Sequence, residues 1–190
     1  MKRIALAVLL VAGTAHADTP LCERARDRPW SSIYRCENQA LANQLQLDIG
    51  LGVLGIGLEL PIASHLLVQL EATGFSTFFL PLIGGGVSVL GAGGGVRATW
   101  IDGNDGRGLF VTPFFRFERV GGEKETGETG HGFAEAAGIT IGQAFRLTPK
   151  LDLRVGFGGQ MIHYRIPTSG GTLIATAPFL AVDLVVGYRL

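Results

Sequence analysis

Hydrolytic chemistry needs a nucleophile with a base in hydrogen-bond reach, and the candidate bases in this chain are His65, His131 and His163. A serine two residues on would complete a His-x-Ser pair, but Leu67, Phe133 and Arg165 stand at those positions. Serine is sparse in the surrounding segments, so no catalytic residue is expected and the chain does not read as an enzyme. The run Gly91-Ala92-Gly93-Gly94-Gly95 lacks the lysine and following helix of a phosphate loop. Cys22 and Cys36 are the only cysteines, with no nearby histidine and no CxxC spacing. That is too small a donor set for a metal or a redox pair, and no cofactor is expected. The remaining reactive side chains are Asp48, Glu59, Glu71, Arg97, Arg116, Glu118, Arg146, Asp152, Arg154, Asp183 and Arg189. Six acids face five arginines in that set. So near a balance favours mutual neutralisation over a proton path or a charge-selective pore.

These charges recur at every second position, which is the period of a pleated strand. In residues 179–190 Val182, Leu184, Val186, Tyr188 and Leu190 share one parity, while Ala181, Asp183, Gly187 and Arg189 share the other. A strand at the chain end has a free edge, and pairing with the first strand would close a barrel. Alternation also marks residues 66–75, 90–101, 109–120, 133–146 and 151–165. Residues 44–60 alternate on odd positions through Val53 and on even positions from Leu54. A one-residue slip turns every side chain to the other face, so it marks either a bulge or a hairpin. The hairpin, with its tip at residues 51–55, gives the even strand count of bacterial single-chain barrels. The expected connections on one side are 61–65, 102–108 and 147–150, rich in turn formers such as Asp102-Gly103 and Pro149. On the other side they are 80–88, 121–132 and 167–172, with 121–132 read as an exposed polar loop. Residues 72–96 carry no charge but contain eight glycines and Pro81, which favours strands over a membrane-spanning helix.

Residues 1–17 join Lys2 and Arg3 to an apolar core over 4–13 and an Ala-His-Ala end. That reads as a secretory signal, too short to span a bilayer. Without Lys2 and Arg3 the chain has 14 basic and 16 acidic residues, so nucleic acid is not an expected partner. Residues 18–44 contain no glycine and read as a periplasmic helical segment, the second helix running to about Asn43. Export favours a Cys22–Cys36 disulfide, closing a loop worth about 3 kcal/mol in the chain-entropy model. Residues 45–190 form the expected barrel.

The charged parity also holds Gln46, Gln69, Thr73, Thr99 and Thr140 among Gly and Ala, and the opposite parity is nearly continuous Leu, Val, Ile and Phe. Trp100, Phe115, Phe117 and Tyr188 fall near strand ends, where an interfacial girdle belongs. A water-facing surface would be richer in lysine, and this chain has three. The apolar parity therefore reads as lipid-facing and the charged parity as luminal. On alternation, turn rhythm and the Tyr188–Leu190 ending, residues 44–190 resemble the small eight-stranded outer-membrane barrels of Gram-negative bacteria, OmpA- and OmpX-like in architecture. The resemblance implies an all-β, up-and-down transmembrane barrel, monomeric, located in the cell outer membrane after signal cleavage. It implies contact with outer-membrane lipid and lipopolysaccharide and insertion by the outer-membrane assembly machinery. Some barrels of this kind act on lipid A through a His-x-Ser motif, which is missing here. The expected role is structural, adhesive or membrane-integrity; a narrow porin-like channel or small-ligand-binding barrel is the alternative, and a lipid-modifying outer-membrane enzyme ranks behind both.

Overall fold

The computed structural model describes residues 41–77, 87–103, 106–124 and 127–190. Eight strands run in chain order: β1 (Gln44–Gly50), β2 (Val53–Ala63), β3 (Leu66–Ser76), β4 (Val87–Ile101), β5 (Gly108–Lys124), β6 (Thr129–Thr148), β7 (Leu151–Thr168) and β8 (Gly171–Arg189). Each pairs antiparallel with its neighbours, and β1 pairs with β8 from Gln44↔Arg189 to Gly50↔Asp183, closing the barrel. Closure satisfies the last strand's edge along its final third, as an unpaired ladder requires.

The parity slip in residues 44–60 is a hairpin, tighter than a five-residue tip. Only Leu51 and Gly52 lie between Gly50 and Val53, which pair with each other. Gly52 has φ +75°, a left-handed conformation that costs a β-carbon-bearing residue about 1–2 kcal/mol. The register then sets Leu45 against Leu58, Leu47 against Ile56 and Ile49 against Leu54 on one outward face. Odd residues of β1 thus meet even residues of β2, and Val53, expected outside, points inward and is 8% exposed.

Several elements are longer than their alternation suggests. Residues 121–132 are not mainly a loop: β5 continues to Lys124 and β6 starts at Thr129. Likewise β7 and β8 continue to a two-residue turn, Ser169-Gly170, adding residues 171–178 to the closing strand. The backbone ladder is indifferent to side-chain polarity, so it extends past the point where the apolar signal stops. Residues 171–182 of β8 lie beyond the end of β1 and pair only with β7 among the described residues; Pro178 is tolerated on such an edge.

Leu41–Asn43 are not helical, which corrects the helix expected to reach Asn43. The barrel begins at Gln44, one residue early, and Leu41 packs under it against Leu67, Ile101, Phe110 and Ala144. Cys22 and Cys36, with the rest of the expected helical segment and the signal, lie outside the described residues. No helix among the described residues is long and apolar enough to cross a membrane.

Candidate functional site

The two faces of the wall differ as the parity predicts. Among the described residues, twenty-six large apolar side chains are exposed, against fifteen buried apolar ones. Leu54, Ile56, Leu70, Leu90, Ile141 and Phe157 are each more than half exposed. Water-soluble monomers rarely show a contiguous apolar surface above a few hundred Å². Trp100, Phe115, Phe117 and Tyr188 all face outward.

The buried polar side chains fill the middle of the lumen. Arg97 bridges Asp48 at 2.5 Å and Asp183, while Arg116 bridges Asp48 at 2.5 Å and Glu71 at 2.8 Å. Asp183 also accepts from Thr140 at 3.0 Å. These contacts join β1, β3, β4, β5, β6 and β8 across the bore. A second centre is the two-pronged pair of Arg154 on Glu59, both contacts 2.6 Å, with Gln46 donating to the same carboxylate at 2.6 Å. A third lies at the end where β1 begins: Asp152 accepts from Arg189 at 2.9 Å and Gln44 at 2.7 Å, with Arg146 at 3.6 Å. Glu118 takes a hydrogen bond from Thr73 at 2.8 Å and makes no ion pair among the described residues. All eleven charged residues singled out in the sequence thus point into the lumen. Burial of such charges is tolerated only because each has a partner or a donor.

Glycine makes this crowding possible at one level of the bore. A Cβ on Gly95 would sit 2.8 Å from Glu71 Oε1 and 2.9 Å from Arg116 Cγ. The arginine–glutamate pair occupies the space that a larger residue would need. Phe114 underlies the same guanidinium, its ring centre 4.7 Å from Arg116 Cζ.

The inward face is not polar throughout, which corrects the simple apolar-out, polar-in reading. Beside the end where β1 begins and β8 finishes, the near end, Leu67, Ile101, Phe110 and Ala144 form a buried cluster. At the opposite, far end, Val53, Phe75, Val89, Val120, Ile162, Tyr164 and Ile166 form a larger one. Parity places most of these residues inward, Val53 excepted: Ile162, Tyr164 and Ile166 continue the inward series of Arg154 and Gln160. A cavity of about 10 Å³ beside Arg97, Thr140, Gln160 and Asp183 has room for one water.

Outside, at the far end, the polarity inverts. From the level of Phe117 and Met161 onward, β5 to β7 present Arg119, Glu123, His131, Glu135, His163 and Arg165 outward around Phe133, while the inward residues past Glu118 and Gln160 turn apolar. His163 Nδ1 bonds Thr176 Oγ1 at 2.7 Å on the outer wall, and His65 Nδ1 bonds the Ile101 carbonyl at 2.9 Å. No family model, curated protein or solved structure matches the chain.

Proposed function

We propose that this chain is an outer-membrane β-barrel of bacterial type whose role is structural, adhesive or membrane-stabilising, without a catalytic site. One observation carries the reading: the polarity of the wall inverts along single strands. Over most of its height the wall is apolar outside and charged inside, the arrangement of a barrel in lipid. On β7 this holds from Leu151 to Met161, after which Ile162, Tyr164 and Ile166 turn inward and His163 and Arg165 outward, as in a barrel in water. A soluble barrel has no reason to switch, whereas a barrel leaving a bilayer must.

The bore supports a closed lumen over the porin-like alternative. An eight-stranded barrel has an interior just wide enough for its own side chains, and here ion pairs fill the middle, charged and apolar clusters share the near end, and a larger apolar cluster stops the far end. An ion would have to break the Arg97 or Arg154 pairs and then cross an apolar layer. By the same topology the near end faces the periplasm and the far end the outside. The monomeric state, the insertion machinery and contact with lipopolysaccharide belong to this reading. Two measurements on refolded protein test it. Folded chain should insert into phospholipid vesicles and migrate differently on SDS gels before and after boiling. Planar-bilayer recording should show no steady unitary current. A detergent-free soluble monomer refutes the membrane reading, and a reproducible ohmic conductance replaces the filled barrel with a channel.

A further inference from the structure

The wall outside the far-end cluster carries a basic group that the closed-barrel reading leaves unused. Arg119 of β5 pairs in register with Phe133 of β6, and Phe133 pairs with Arg165 of β7. All three side chains point outward and are exposed. Two strand spacings separate the arginine backbones, about 10 Å, so both guanidinium groups can reach over the phenyl ring between them. His131 stands one outward position beyond Phe133, and its ring lies against Gly121: a Cβ there would be 3.3 Å from His131 Nδ1. The floor is firm, because Phe133 stacks on Phe117 with centroids 5.2 Å apart. Neither Arg119 nor Arg165 makes an ion pair among the described residues. Two exposed carboxylates flank the group on the same wall, Glu135 one outward position nearer the belt and Glu123 one outward position beyond Gly121.

Position decides the ligand. The row directly below is Phe117, Glu135 and His163, and the next row, Phe115, Ala137 and Met161, opens the exposed apolar belt. A ligand here meets two guanidinium groups at one end and an acyl-chain surface at the other. We propose that Arg119 and Arg165, flanked by His131 and seated on Phe133, clamp the phosphate of a phosphorylated membrane lipid in the leaflet at the far end. Arginine forks suit phosphate oxygens, and charges at the border of an apolar belt meet headgroups rather than tails. Inorganic phosphate shares the headgroup chemistry, but it would leave the adjoining apolar surface unused. This proposal rests on the membrane reading and specifies one lipid contact within it.

The test uses the full chain refolded into phosphatidylcholine vesicles containing increasing amounts of diphosphorylated lipid A, with dephosphorylated lipid A and inorganic phosphate as parallel arms. The readout is the lipid fraction that gives half of the maximal rise in thermal midpoint. Phosphorylated lipid alone should raise the midpoint. Arg119→Gln with Arg165→Gln should require roughly tenfold more lipid or greater for each charge-assisted hydrogen bond removed. Lys150→Gln, at the near end, should leave the titration unchanged. Replacing both arginines by lysine keeps the charge and removes the fork, and should fall between wild type and the glutamine pair; it serves equally if the glutamine pair does not insert. Equal stabilisation by dephosphorylated lipid or by inorganic phosphate overturns the proposal, as does an unshifted titration in the glutamine and lysine pairs; both leave the membrane reading standing. Failure of the wild type to insert overturns both.

Discussion

Replacing Glu59 by leucine removes the sole ion-pair partner that Arg154 has among the described residues. Glu59 is fully buried and Arg154 is 4% exposed, so the guanidinium left behind has neither water nor a carboxylate paired with it. Breaking a buried pair from one side costs about 3–5 kcal/mol, and Gln46 also loses its 2.6 Å acceptor. With a guanidinium-chloride slope of about 4 kcal/mol per M, typical of a small domain, the unfolding midpoint should fall by roughly 1 M. Adding Arg154→Leu removes the stranded charge and should recover most of that loss, because apolar replacement of a whole buried pair is often neutral or stabilising. The assay is reversible unfolding from vesicles followed by Trp fluorescence, with all four members of the cycle. If Glu59→Leu lies within about 0.5 kcal/mol of wild type, the range of ordinary surface substitutions, or if the double variant loses the sum of the singles, the lumen is hydrated and the buried-pair argument fails.

Asp183→Leu should likewise lose about 3–5 kcal/mol, since it takes a partner from Arg97 and the acceptor of Thr140, whereas Glu123→Leu on the outer wall should change stability by less than about 0.5 kcal/mol; equal losses in denaturant titrations would mean the faces are reversed. Gly95→Ala should cost about 1–3 kcal/mol by overpacking, because the new methyl meets Glu71 Oε1 and the Phe115 carbonyl at 2.8 Å and Arg116 Cγ at 2.9 Å, and an unchanged midpoint would contradict the crowding at this level of the bore. In cells exporting the protein, Thr129→Cys should react with an impermeant thiol reagent from outside and Asp102→Cys should not, in a Cys22→Ser, Cys36→Ser background. The reverse pattern would invert the barrel.

The strand order, the closure and the luminal set were legible because each rests on period two, and within the belt a filled barrel puts the charges on one parity. The hairpin at Leu51-Gly52 was legible through the slip of parity, although Val53 was placed on the wrong face: an apolar residue just past a turn fits either reading. The far ends were illegible for a definite reason. Past the belt the contrast inverts, so Ile162-His163-Tyr164-Arg165-Ile166 has the correct period with the opposite meaning. In residues 171–178 small alanines and Pro178 blur it altogether. The inward apolar plugs were harder to read, since Phe110 and Ile101 share the parity of Arg116 and Arg97 but have the apolar character of the belt. The outer Arg119–Phe133–Arg165 row could not be found from sequence at all. Its members lie on three strands and meet only through the pairing register.

The central claim is that the apolar parity faces lipid and the charged parity faces a dry bore. Nitroxides placed singly at Leu58, Leu70, Ile139 and Phe157 on the outward face, and at Thr140 on the inward face, measure this directly in vesicles. Power-saturation should show the four outward labels colliding with oxygen far more than with a water-soluble nickel complex, and the Thr140 label colliding weakly with both. Outward labels that meet nickel as freely as oxygen would contradict the account and place this wall in water.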